Sequence, residues 1–176
     1  MTGIPTLVTE RLRLRAPRVE DFEPYAAFYA SNRSIWEDGP FDRARAWRDF
    51  AASAGLWALR GYGAWSIEDR ETGAYLGEAG LFHPAHYPQA ELGWMVVPEA
   101  EGRGIAHEAA LAARDWAWHQ AGLTRLVNYI DHGNVRSIRL AERLGAVRDD
   151  TLPLPEGENC LAFRQPLPPQ ADRRRA

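Results

Sequence analysis

Val96-Val97-Pro98-Glu99-Ala100-Glu101-Gly102-Arg103-Gly104-Ile105-Ala106 is the stretch on which the fold turns. A branched apolar run stops at Pro98, which has no N–H to give to a sheet ladder. A short acidic loop follows, and Gly102 and Gly104 open a helical pattern over Ile105–Ala121. Glycine at these two places removes side chains where a ligand must approach the backbone. The first turn of a helix leaves N–H groups free at the positive end of its dipole. The stretch therefore reads as an anion cradle suited to a pyrophosphate. Two spaced glycines alone favour a plain strand-to-helix turn. There is no third spaced glycine for a dinucleotide fingerprint and no Gly-Lys-Ser/Thr ending for a phosphate loop.

Upstream of the cradle, Ala90–Val97 is a strand and His83–Pro88 a proline-broken loop. Ala64–Glu68 and Tyr75–Phe82 are strands joined by a turn at Asp69–Gly73, which predicts a hairpin. Apolar residues at helical spacing mark Val19–Ala30 and Arg43–Leu59, with the turn-rich Ser31–Asp42 between them. At the start, Leu12 and Leu14 alternate with Arg11, Arg13 and Arg15, a half-buried strand closed by Pro17. Downstream, Ala106, Ala109, Ala110, Ala113 and Ala117 form a small-residue stripe that lets the helix lie close to a sheet. Leu126–Ile130 is a strand, Val135–Leu144 a helix stopped at Gly145, and Cys160–Arg164 a last strand. The order is strand, two helices, three strands, helix, strand, helix, strand: a mixed α/β domain with a central mixed sheet flanked by helices.

The whole chain bounds the function. Its 176 residues fit one domain, with a core over about 7–165 and a loose tail over 166–176. A formal net charge of −3 gives no general attraction for nucleic acid or anionic membranes. The tail arginines 173–175 read as a solvated end. No lysine occurs, which excludes a catalytic lysine or Schiff base. The one cysteine, Cys160, allows neither an internal disulfide nor a multi-cysteine metal site. His83 and His86 sit three apart in an irregular loop without a third ligand, so no metal is expected. With no membrane-spanning run and no signal-peptide layout at Met1–Thr9, a cytoplasmic location is the default expectation.

A second constellation is Asn134-Val135-Arg136-Ser137, running into Leu144-Gly145-Ala146. Taken alone, Asn134 is an N-cap and Ser137 a first-turn serine. Together with the cradle, in this order and spacing, the chain resembles the GNAT superfamily of acyl-CoA-dependent N-acetyltransferases. Within it, the chain is similar to the branch containing the ribosomal-protein alanine N-acetyltransferases. Thr9-Glu10-Arg11-Leu12-Arg13-Leu14-Arg15 before Glu20-Asp21, Pro98-Glu99, and the Gly-x-Gly-x-Ala-x-Glu-Ala run at 102–109 carry the same likeness.

The resemblance implies acetyl-CoA as co-substrate. Backbone groups of Trp94, Met95 and Val96 would pair with its pantetheine arm. Those of Gly102, Arg103, Gly104, Ile105, Ala106 and His107 would hold the pyrophosphate, and Asn134 would bond the arm. The acceptor amine would attack the thioester directly, with Ser137 as partner of the departing thiolate. Some relatives carry a basic glutamate where Tyr129 stands here, so Glu91 on the strand before the cradle is the candidate base, Asp131 the second choice, and water a third. Glu101 departs from the usual glutamine or arginine, with Arg103 expected to offset its charge. The acceptor groove would draw on Trp36, Phe41, Trp57, Tyr62, Trp65, His83, His86 and Tyr87, with Asp38 and Asp42 favouring a cationic amine. The acceptor is a small-molecule amine or a protein N-terminus. A non-catalytic acyl-CoA-binding sensor or interaction domain on the same fold is the alternative, and by analogy the fold admits a homodimer.

Overall fold

The computed structural model describes residues 3–166; the tail over 167–176, with its arginines, lies outside the described residues. Eight strands form one sheet: β1 (Leu7–Val8), β2 (Leu12–Arg15), β3 (Ala64–Asp69), β4 (Tyr75–Phe82), β5 (Glu91–Val96), β6 (Val127–Ile130), β7 (Val147–Arg148) and β8 (Leu161–Arg164). Their spatial order is β1-β2-β3-β4-β5-β6-β8-β7. Every neighbouring pair is antiparallel except β5 and β6, which run parallel. Four helices complete the fold: α1 (Phe22–Tyr29), α2 (Arg43–Arg60), α3 (Ile105–His119) and α4 (Val135–Arg143). Beyond the sequence reading, β1 and β7 appear as two-residue strands, and short 3-10 turns precede α1, fill Asn32–Trp36 and lead out of β5. Among the described residues no helix is long and apolar enough to cross a membrane.

The two faces of the sheet differ in chemistry. On one, Leu12, Leu14, Trp65, Ile67, Ala79, Leu81 and Leu92 meet α3 in the main apolar cluster. Ala109, Ala110, Ala113 and Ala117 are fully buried against it, as the stripe predicts. The other face looks toward α1 and α2, and its alternate positions are polar: Arg13 and Arg15 on β2, Ser66 and Glu68 on β3, Glu78 on β4, Glu91 on β5. Met95 is the strand residue that joins the aromatic cluster of Phe22, Tyr25, Phe28, Tyr29, Phe41 and Phe50 there.

Arg15 is 6% exposed, although alternation alone assigns it to the solvated face of the first strand. It forks onto both oxygens of Asp21 at 2.7 and 2.8 Å and reaches Glu68 at 2.5 Å. Ser66 donates to the same Asp21, and Arg13 pairs with Glu68 at 2.6 Å. The β2/β3 half of this polar face is thus charge-paired. The β4/β5 half is not: no ion pair involves Glu78 or Glu91 among the described residues.

Candidate active site

The site begins where β5 and β6 part. Their ladder has one register pair, Glu91 with Val127, and the Val127 N–H bonds the Ala90 carbonyl. The next rung is made by side chains. Asn128, 1% exposed, sends Nδ2 to the Leu92 carbonyl, and the Glu91 carboxylate accepts the Tyr129 N–H at 2.9 Å. Gln165 holds the Asn128 oxygen at 2.7 Å, and Arg114 holds Gln165 at 2.9 Å. A chain of buried amides thereby fixes the point of splitting, since each of these groups would be costly to leave unpaired.

Past that point the outer edge of β5 is open. Ala90 and Leu92 direct their carbonyls toward β6, so by strand alternation Trp94 and Val96 present their backbone groups to the gap. Met95 faces β4 instead, opposite Glu78. Of the three residues expected to pair with a pantetheine arm, two lie on the free edge and Met95 does not.

The strand leads through Pro98–Ala100 into the two glycines. Gly102 and Gly104 have φ of 69° and 77°, the left-handed region in which a side chain is strained. A Cβ at Gly102 would meet nothing within 4 Å, so conformation rather than crowding explains that glycine. The first bond back into α3 is made by the Glu108 N–H to Gly104, at 3.1 Å. The amides of Ile105, Ala106 and His107 precede it at the helix start. Glu101 differs from expectation. Its charge is met not by Arg103 but by Arg33 and by Arg136, the latter at 2.9 Å. Arg103 instead lies 3.7 Å from Asp69, and its carbonyl accepts from Arg11. The loop backbone turns Arg103 toward the β3–β4 turn, leaving Glu101 beside the arginines that precede and follow it in space.

Asn134 caps α4: its side-chain oxygen accepts the Ser137 N–H at 3.1 Å, while its amide nitrogen lies 3.5 Å from Glu37. The Ser137 hydroxyl accepts the Trp94 indole N–H at 3.3 Å, which leaves the hydroxyl hydrogen free to point elsewhere. Asp131 is occupied in the turn before α4, accepting the Gly133 N–H at 2.7 Å.

Trp94, Ser137, Asn134 and Glu91 all line one cavity of about 670 Å³ that opens between the split and α2. Seven carboxyl groups line it: Glu37, Asp38, Asp49, Glu78, Glu91, Asp131 and Glu158. No arginine is among its described lining residues. Burial, reinforced by neighbouring carboxylates at Glu37 and Glu78, pushes the carboxyls of Glu37, Glu78 and Glu91 each up to about 8. Burial also pushes the Cys160 thiol up to about 11, which keeps it from acting as a nucleophile at neutral pH.

Of the aromatic residues expected at an acceptor groove, Trp36, Phe41, His86 and Tyr87 line this cavity. Trp57 and Trp65 do not: they pack edge-to-face with each other and with Trp116, and their indole N–H groups bond the Ala64 and Pro5 carbonyls. Tyr62 and His83 bond each other at 2.7 Å and line a separate groove near Leu123–Leu126. Asp42 caps α2 through the Arg45 N–H, whereas Asp38 reaches the cavity. Glu37, Asp49 and Glu78 went unread in the sequence. A glutamate in the middle of the apolar strand Tyr75–Phe82 was the one available signal.

Residues 11–147 match the family model for the acetyltransferase (GNAT) domain. Along 156 residues the chain is 31% identical to the uncharacterized protein YkkB of Bacillus subtilis strain 168, covering 82% of this chain and 87% of that one. An acetyltransferase of Agrobacterium tumefaciens strain C58, known from its crystal structure, is 40% identical and superimposes with a TM-score of 0.88 over 93% of this chain and 95% of that one. A Vibrio cholerae protein provisionally assigned as a ribosomal-protein-serine acetyltransferase is 25% identical, with a TM-score of 0.75 over 96% and 100% of the two chains.

Proposed function

The chain belongs to the GNAT acetyltransferase family, and from that membership we propose that it transfers an acetyl group from acetyl-CoA to a primary amine by direct attack in a ternary complex. One observation carries the reading: the open edge of β5 at Trp94 and Val96 runs straight into a glycine-opened helix start. An extended amide-bearing arm can add to that edge as a strand would, and a pyrophosphate fits the free amides of Gly102–His107. Acetyl-CoA supplies the activated acyl group and a thiol leaving group.

The chain's own groups answer the remaining needs. The N–H groups on the free edge can polarise a thioester carbonyl. Ser137, its oxygen already satisfied by Trp94, has its proton available to a departing thiolate. Glu91, raised to about 8, can take a proton from an ammonium once it is ionised, as the pH rises toward that value. It sits beside the backbone of Tyr129, whose N–H it accepts.

Calorimetry with acetyl-CoA, followed by thiol release over small amines and N-terminal peptides, tests the reading. Binding with thiol release is expected. Binding without release for any amine would convert the protein to an acyl-CoA sensor, and no binding would overturn the proposal.

A further inference from the structure

The polar sheet face holds a row of carboxyl groups that is ion-paired on one half only. On β2 and β3, Glu68 and Asp21 each meet Arg15. On β4 and β5, Glu78 and Glu91 meet no cation among the described residues, although Glu78 is 6% exposed. Glu37 interacts electrostatically with both: Glu91 raises Glu37, and Glu37 together with Asp49 raises Glu78. The carboxyls therefore form a run from the strand split to α2. Glu91 and the residue paired with Glu78, Met95, are four positions apart on β5, which places the ends of the run ~13 Å apart along the sheet. A single ammonium cannot meet both ends.

A separate observation marks the inner end as prepared for a ligand. Ser53 of α2 lines the same cavity and is 9% exposed, and its hydroxyl has no hydrogen-bond partner. It lies beside Glu78 and helps to hold that carboxyl below the value that burial alone would give. Buried polar groups are rarely left unpaired, and the Glu78 carboxyl beside this hydroxyl lines the cavity with no cation to meet it among the described residues. Between the two ends part of the wall is apolar: the Phe82 ring lies across Gly93, and Tyr29 and Phe41 stack at 4.8 Å. Methylene groups suit that surface.

We propose that the acceptor is a linear aliphatic amine carrying two or more ammonium groups, its reacting nitrogen at Glu91 and a distal ammonium held by Glu78 and Asp49. The proposal rests on the acetyl-transfer reading for its chemistry but not for its recognition. The attacking nitrogen, freed of a proton by Glu91, forms the new C–N bond as the thioester C–S bond breaks. The departing thiolate takes up the proton offered at Ser137, and the second proton lost by the attacking nitrogen restores that hydroxyl. The distal nitrogen stays protonated throughout.

The test is calorimetry without acetyl-CoA, using spermidine as the polycationic probe, butylamine as the single-charge control and an alanine-initiated peptide as the chain N-terminus. Spermidine should bind at least about tenfold tighter than either control. The same loss, that of one charge-assisted hydrogen bond, should follow Glu78→Gln and Asp49→Asn. Acetyl-CoA affinity should stay unchanged in both variants. Asp49 is exposed on α2, so Asp49→Asn decides the matter if Glu78→Gln fails to fold. Equal affinity for spermidine and butylamine, tighter peptide binding, or undiminished spermidine affinity in Asp49→Asn would overturn the proposal. Thiol release is scored separately. Spermidine binding with no thiol release from any amine would sink the transferase reading and leave the recognition standing, whereas release with monoamines alone would do the reverse.

Discussion

At the level of single residues, the decisive groups are those whose partners lie far away in sequence. Ser137 was legible as the fourth residue of a short motif, but its indole partner Trp94 lies 43 positions earlier and could not be read. Replacing Ser137 by alanine removes a proton donor while leaving the N-cap from Asn134 intact, because that cap uses the Ser137 backbone. Turnover is expected to fall by ~10²-fold or more with acetyl-CoA affinity nearly unchanged; a variant that keeps full activity would take Ser137 out of the mechanism. Glu91 was legible as a carboxylate on the right strand, and its burial was not. A base must be ionised to act, and Glu91 ionises near 8, so kcat/KM should rise with pH through that value. Glu91→Gln keeps an oxygen for the Tyr129 N–H and cannot take a proton. Its pH–rate profile should lose that rise, and an unaltered rise would assign the base to water or to Asp131.

Among the elements, long ones with a clear apolar period were read within a few residues: α2, α3, β4 and β5 stand where the pattern puts them. The two-residue strands β1 and β7 carry too few residues for any period to register. Their existence depends on a neighbouring strand offering a ladder. The split between β5 and β6 follows from the family resemblance and not from the strands themselves, since nothing in either announces that Asn128 and Glu91 will replace a backbone rung. The start of α3 shows the opposite case. Two glycines predicted a special backbone, and both residues are left-handed. Gly104→Ala should therefore cost about 1–2 kcal/mol through backbone strain alone. Gly104→Asp adds a negative charge where phosphates are proposed to sit. If the cradle is real, calorimetry should give a far weaker acetyl-CoA affinity for the aspartate variant than for the alanine variant. Equal affinities would reduce the glycines to a turn.

Across the whole molecule, the polar sheet face sets an opposed pair of pH dependences, and their balance can be measured without any substrate. Asp21 and Glu68 lie below their ordinary values of 3.8 and 4.5; burial works against Asp21, but Arg15 and the other bonded groups outweigh it, and Arg15 is the leading cause at Glu68. A lowered carboxyl contributes stability above its unfolded value and loses it as pH falls toward the folded one, so this half of the face fails below about pH 4. Glu37, Glu78 and Glu91 go the other way, from an ordinary 4.5 to about 8, chiefly through burial. A raised carboxyl favours the folded state fully below its unfolded value, and that contribution drains away as pH climbs from 4.5 to 8. The protein without ligand should therefore melt at its highest temperature near pH 5 and lose stability steadily toward pH 8. A polycation seated along the run would hold those carboxyls ionised, so spermidine should raise the melting temperature more at pH 8 than at pH 5. Calorimetric melting across that range, with and without spermidine, separates two sources of the trend. A fall that spermidine reverses belongs to the carboxylate run between the strand split and α2, and a fall that it leaves untouched belongs to groups outside the cavity.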